Sequence, residues 1–246
     1  NLLLGAGVSL DSANAHGHLP SSEALRQQLC AVTGAHPNTS LARAAGLLTA
    51  AQVNEQLVER FRNCAPGPSL EPLPRYLWRR LFTFNIDDVI ETLYASAAHA
   101  KLTLVTRNFD APFEPAPEPN ELQAIHLHGS VGLPTGRFVF SHSEYARVMT
   151  TMNPWMHLLS ELLASEPFII AGTSLNEIDL EYYLSFRTAS TPRRDRGPAL
   201  LIEPYPDVAT EADCKKYGLQ LVRATFGDFL AWLKAEFPNP PSRIEL

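Results

Sequence analysis

Four short apolar runs along the chain each end abruptly in a turn of glycine, hydroxyl, amide or charged residues. Leu2-Leu3-Leu4 runs into Gly5-Ala6-Gly7-Val8-Ser9, and Leu81-Phe82-Thr83-Phe84 runs into Asn85-Ile86-Asp87-Asp88. Ala124-Ile125-His126-Leu127 gives way to His128-Gly129-Ser130, and Phe168-Ile169-Ile170 to Gly172-Thr173-Ser174-Leu175. A strand that breaks into a polar turn before a helix is where open α/β sheets place ligand chemistry. From Leu81 onward the pattern predicts strands at 81–85, 101–106, 123–127, 137–140, 167–172, 198–203 and 219–223. They alternate with predicted helices at 87–97, 143–150, 153–165, 177–188, 210–217 and 226–236. Such alternation implies an α/β chain with a largely parallel sheet and helices on both faces.

Between the opening strand and Leu81 the pattern changes. A helix is predicted at 22–33, followed by helical patterns at 41–51 and 52–63; in the last, Val53, Leu57, Val58 and Phe61 share one face. Helices in succession, with no strand between them, predict a small helical excursion at about 40–80. Its end is a loop from Pro66 to Pro74, because proline fixes φ and removes a donor. Capping boxes are predicted at Ser141 with Glu144, Ser174 with Glu177, and Thr225 with Asp228. Pro112 to Pro119 carries four prolines and reads as an exposed loop. We read residues 1–237 as one domain and 238–246, with Pro238-Asn239-Pro240-Pro241, as a proline-rich linker or tail. The chain opens at Asn1, inside a strand pattern and without a methionine, which predicts residues before it.

Composition narrows the class. At 246 residues, 45% of them hydrophobic and 19% charged, the chain can bury a sizeable core and is not a disordered one. No apolar run approaches the roughly 18 residues of a membrane span. A net charge of −6 argues against a general nucleic-acid surface, although Arg75, Arg79 and Arg80, and Arg193, Arg194 and Arg196, form short basic clusters. Cys30, Cys64 and Cys214 are too few for a four-cysteine zinc ribbon and have no paired spacing, which points to a reducing, cytoplasmic setting.

The turns carry the candidate chemistry. Gly5-Ala6-Gly7-Val8-Ser9 lacks the next glycine of a dinucleotide fingerprint, since that position is Leu10. Glycines there would still let the backbone turn sharply and approach a pyrophosphate, with Ser9 adding a hydroxyl. Asn85 is unusual at the end of a buried strand; an amide there can hold a sugar hydroxyl or a water. Asp87 and Asp88 stand at a helix start, where carboxylates are favoured. His126 and His128 face the same side of their strand, and one of them suits acid–base work near neutral pH. Glu203, ending Ala199-Leu200-Leu201-Ile202, is placed to accept ribose hydroxyls or to be a solvated loop acid.

In order and approximate spacing, Gly5-Ala6-Gly7-Val8-Ser9, Thr83-Phe84-Asn85-Ile86-Asp87, Leu127-His128-Gly129 and Gly172-Thr173-Ser174-Leu175 resemble the sirtuins. The resemblance implies a Rossmann-like doubly wound fold that binds NAD in an extended groove. It implies that Gly5, Ala6, Gly7 and Ser9 meet the pyrophosphate and that Asn85 and Asp87 hold the nicotinamide ribose. His128 is then the base, and Gly172, Thr173 and Ser174 line the adenosine side. Sirtuin deacylases carry a zinc-binding four-cysteine module and a Gly-Ile-Pro-Asp-Phe-Arg segment. This chain has neither, and Phe84 replaces a glutamine. With Ser143-Glu144-Tyr145, it looks more like the sirtuin-like NADase domains of bacterial anti-phage systems. That branch implies a metal-free hydrolase that uses NAD+ as substrate, homo-oligomeric, with a fused or separate sensor domain and no membrane or nucleic-acid contact of its own. A protein deacylase and a non-catalytic nucleotide sensor are the alternatives.

Overall fold

The computed structural model describes residues 1–114, 117–133, 137–151, 153–173, 175, 178–189 and 195–241. The opening apolar run forms β1 (Leu2–Leu4), followed by a short 3-10 turn at Ala6–Ser9. Next come two residue pairs, β2 (Ala13–Asn14) and β3 (Gly17–His18), which form a small antiparallel ribbon. The helical excursion consists of α1 (Ser22–Thr33), α2 (Leu41–Ala45) and α3 (Ala50–Val53), the last running into a π-helical stretch at Asn54–Glu59. The rest of the chain alternates: β4 (Leu81–Thr83), α4 (Val89–Ser96), β5 (Thr103–Asn108), β6 (Glu121–His126), α5 (His142–Thr150), α6 (Pro154–Ser165), β7 (Phe168–Ala171), α7 (Ile178–Ala189), β8 (Ala199–Ile202), α8 (Val208–Tyr217), β9 (Gln220–Val222) and α9 (Phe226–Glu236).

Seven strands form one parallel sheet in the order β5-β6-β4-β1-β7-β8-β9, a Rossmann-like doubly wound arrangement. The chain leaves β1 toward β4 on one side and returns to β7 on the other, so the switch of direction falls between β1 and β7. Side-chain alternation along the strands builds two cores. Leu2 and Leu4 face one, with Leu81, Leu122 and Ala124, covered by Leu25 and Leu29 of α1, Val89 and Leu93 of α4, and Leu230 of α9. Leu3 faces the other, with Phe82, Ile125, Phe168 and Ile170, covered by Trp155 and Leu159 of α6, Leu184 of α7 and Tyr217 of α8.

The predicted strand at 137–140 does not form. Those residues form no ladder; the Val139 amide donates to the His128 carbonyl at 3.0 Å and the Phe140 amide to Glu144, while Phe138 and Val139 are buried. The apolar alternation there serves two packed surfaces rather than a sheet. The predicted helix at 41–51 stops at Ala45, where Gly46 caps it. Both Ser141–Glu144 and Thr225–Asp228 are reciprocal capping boxes. The predicted box at Ser174 and Glu177 lies outside the described residues. Of the basic residues, Arg75 and Arg79 pair with Glu71 and Glu166 and Arg80 is buried; Arg193 and Arg194 lie outside the described residues. No described helix is long and apolar enough to cross a membrane.

Candidate active site

Parallel strands bring all their C-terminal ends to one edge, and the turns after β6, β4, β1 and β7 are neighbours there. A cleft of about 270 Å³ opens above them. The sheet contributes Gly5, Ala6, Phe84, Asn85, Ile86, Asp87, His128 and Thr173. Across from them stand Ser22 and Leu25 of α1, Leu41 and Ala42 of α2, Phe61, and Phe140, His142 and Tyr145 at the start of α5. The walls are mainly apolar with a few polar side chains among them, the usual composition of a small-molecule site.

Asn85 is held from three directions. Its main-chain N–H donates to Thr83 Oγ1 at 3.0 Å, and its main-chain carbonyl accepts from His126 Nδ1 at 2.8 Å. Its side-chain Nδ2 donates to Ser9 Oγ at 3.0 Å. That leaves Oδ1, buried and without a hydrogen-bond partner. A buried carbonyl left unpaired costs about 1–3 kcal/mol, so such a group calls for an explanation. Asn85 lines the cleft, so a small shift of its side chain would let a ligand hydroxyl or water there meet Oδ1.

Asp87 is 4% exposed. Burial pushes its carboxyl up to about 6, against the opposing pull of the Val89 N–H, the Ser9 hydroxyl and the His126 charge. Oδ1 of Asp87 accepts from Val89 N at 3.1 Å at the start of α4. Asp88 faces elsewhere: its two oxygens take the main-chain N–H groups of Asn63 and Cys64, tying the end of the helical excursion to α4.

His128 is 4% exposed and packs between two rings. The Phe84 ring lies 4.8 Å from it, tilted by 38°, and the Tyr145 ring stands on edge 5.3 Å away. These two rings set the plane of the imidazole. His126 turns into a network beneath the cleft, with Glu91 Oε1 at 2.9 Å from Nε2. The two neighbouring histidines therefore have separate surroundings. No group of three or more metal-ligating side chains occurs among the described residues.

Several sequence-predicted positions sit apart from the cleft. Ser9 is buried beneath it, bonded to Asn85 rather than open to a phosphate. Gly7 and Gly172 do not line it. The Gly7 amide donates to the Gly172 carbonyl at 2.7 Å. A Cβ on Gly7 would lie 2.8 Å from the Gly172 Cα, and one on Gly5 would lie 2.6 Å from the Gly172 oxygen. These glycines are required where the turns after β1 and β7 pack on each other. Glu203 accepts from the Tyr205 amide at 3.1 Å, closing its own turn. Ser174 lies outside the described residues. The reading from sequence missed Glu91, in the first turn of α4, whose partner His126 is 35 residues away and gives no local signal. It also missed the Phe140 and His142 wall, which carries no local signal.

The family model described as SIR2-like domain matches residues 79–222, more than half of the chain's 246 residues. No curated protein matches the chain.

Proposed function

Because the chain belongs to the SIR2-like family, whose domains are often NAD-using enzymes, we propose that it is an NAD+ hydrolase. NAD+ and water would give ADP-ribose, nicotinamide and a proton by cleavage of the nicotinamide–ribose bond. The observation that carries this reading is that Asn85, whose Oδ1 is buried and unpaired, Asp87 and His128 line one cleft. The cleft's 270 Å³ lies just below the roughly 300–1,000 Å³ of drug-sized pockets, so it would take the reacting end of the dinucleotide, with the remainder along its mouth.

The proposed steps use the groups as they stand. Asn85 Oδ1 accepts from a ribose hydroxyl or from the attacking water and orients it. As nicotinamide leaves, positive charge builds on the ribose; the desolvated Asp87, ionised above about pH 6, opposes that charge at close range. His128 takes the proton from the water or from a ribose hydroxyl, a contribution worth roughly 10²–10⁴-fold. Gly5, Ala6 and Thr173, on the β1 and β7 side, would meet the phosphates and the adenosine half.

We extend the proposal to biology through the bacterial immune resemblance: a cytoplasmic effector that depletes NAD+ on phage infection, homo-oligomeric and controlled by a fused or separate sensor. The test is incubation with NAD+ and separation of the products. Free ADP-ribose and nicotinamide support hydrolysis. Acetyl-ADP-ribose, formed only with an acylated peptide, would replace hydrolysis by deacylation. Binding without turnover, both by the isolated domain and by full-length protein from infected cells, would reduce the site to a sensor.

A further inference from the structure

The charged network beneath the cleft has a geometry that limits its protonation states. His126 is 1% exposed and bridges two acceptors: the Asn85 main-chain oxygen at Nδ1, 2.8 Å, and Glu91 Oε1 at Nε2, 2.9 Å. A carbonyl cannot donate, so Nδ1 carries a proton. A neutral imidazole has only that one, and its Nε2 would then face a carboxylate acceptor against acceptor. Both contacts are satisfied when the ring is an imidazolium and Glu91 a carboxylate, or when a neutral ring accepts from a protonated Glu91. Burial raises the Glu91 carboxyl, but the His126 charge and hydrogen bond and the Thr106 hydroxyl hold it below its ordinary range, which favours the ion pair. Burial alone would drive the imidazolium to lose its proton, but the Glu91 charge and hydrogen bond outweigh burial and hold it above its ordinary range. Glu91 is steadied in turn by the Thr106 hydroxyl of β5, 2.9 Å from the same oxygen. Besides Glu91 from α4, the other charged group facing the ring is Asp87 from the turn.

Asn85 sits in the first turn beyond the β4 ladder, so the parallel sheet no longer fixes its peptide. Its carbonyl is taken by a side chain instead, and that side chain is anchored from α4. We infer that the Glu91–His126 pair is a positioning device for the proposed reaction: it clamps the Asn85 peptide and so fixes where the side chain carrying the unpaired Oδ1 stands at the cleft wall. Ser9 fixes the other end of the same amide. This inference rests on the hydrolase reading and adds to it two residues that never touch substrate.

The test is a set of variants assayed for nicotinamide release beside wild type and Asn85→Ala. His126→Phe keeps the bulk and removes the clamp; kcat is expected to fall roughly 10²-fold, the scale of an ångström-level misplacement. KM is expected to stay within about threefold, because the cleft walls are untouched. His126→Gln, whose amide N–H can reach the Asn85 carbonyl, is expected to recover kcat to within about tenfold of wild type, which a purely structural role would not produce. Should His126→Phe fail to fold, Glu91→Ala leaves His126 present but unanchored, with an expected loss in kcat of roughly tenfold. A folded His126→Phe or Glu91→Ala with wild-type kcat overturns the positioning role. So does a crystal structure of either variant with Asn85 Oδ1 unmoved. If Asn85→Ala is inactive while the His126 variants are not, only the positioning role fails. If Asn85→Ala hydrolyses NAD+ at the wild-type rate, the hydrolase reading fails and the positioning role with it.

Discussion

Asn85→Ala separates function from stability, because the native side chain is a stability liability. The substitution removes one buried hydrogen bond, Nδ2 to Ser9 Oγ at 3.0 Å, worth about 0.5–1.5 kcal/mol net. It also removes the unpaired Oδ1, whose burial costs about 1–3 kcal/mol. The Ser9 hydroxyl also has the Asp87 carboxyl beside it, whose titration it lowers, and so retains a polar neighbour. The two terms nearly cancel, and stability is expected to stay within about 1 kcal/mol of wild type. For a chain of this length that is a Tm shift of roughly 2–4 °C in either direction. Catalysis has no such compensation. Loss of one preorganised polar group costs about 10²–10³-fold in kcat, or some 3–4 kcal/mol of transition-state stabilisation. The assay is paired: chromatographic quantification of nicotinamide and ADP-ribose, and a calorimetric melt of the same preparation. A variant that loses roughly 3 kcal/mol of stability yet turns over normally would refute the reasoning, because Asn85 would then be a structural amide.

Other expected outcomes follow from the same geometry. His128→Ala should lower nicotinamide release by roughly 10²–10⁴-fold, with a folded protein by circular dichroism; retained turnover would remove His128 from the mechanism. The Asp87 carboxyl, raised from 3.8 to about 6, binds more protons folded than unfolded between those values, so its contribution to stability is fully present below about pH 4 and lost as pH rises through about 6. Asp87→Asn is therefore expected to stabilise the protein at pH 7 by up to about 3 kcal/mol and to flatten the slope between pH 4 and 6 in urea melts; a steeper slope or a loss of stability at pH 7 would contradict the assignment. Gly172→Ala imposes φ +67° on a side chain whose Cβ would lie 2.6 Å from Val8. A loss of roughly 2–4 kcal/mol is expected in denaturant unfolding, and a neutral result would show that the two turns can part without cost.

The alternation of apolar runs and helical periods was enough to locate the sheet, because the central strands β1, β4 and β6 are buried on both faces and their apolar runs end within a residue or so of their ladders. Sequence could not reveal strand order. The insertion of β6 between β4 and β5 is what sets His126 against Asn85 and Glu91, three residues 6 to 41 positions apart whose meeting depends on that neighbour relation. The 137–140 segment has the alternation of a strand but follows the His128 turn instead of a sheet edge, and periodicity alone does not distinguish two packed faces from one ladder. The ribbon at Ala13–Asn14 and Gly17–His18 is too short to have a period; its local signal is the Asn14 side chain accepting from the His16 amide ahead of Gly17, which has φ +98°.

The glycine turns carry the sharper lesson. Gly5-Ala6-Gly7 reads as a phosphate cradle because glycine lets a ligand approach the backbone, but the backbone that approaches here belongs to the protein. The turn after β7 packs on the turn after β1, joined by the Gly7 amide and the Gly172 carbonyl, and a Cβ on any of Gly5, Gly7 or Gly172 would collide with the opposite turn. That contact follows from β1 and β7 being adjacent at the point where the winding reverses. The same place is where doubly wound sheets bind ligands, so a glycine motif there is expected for packing whether or not a ligand exists. What distinguishes a site from a well-packed switch point is a polar atom that the protein has buried and left unpaired. Such atoms also occur elsewhere in the fold, but at this cleft it is the Asn85 side-chain oxygen, on a residue whose main-chain N–H, main-chain carbonyl and side-chain Nδ2 are each bonded.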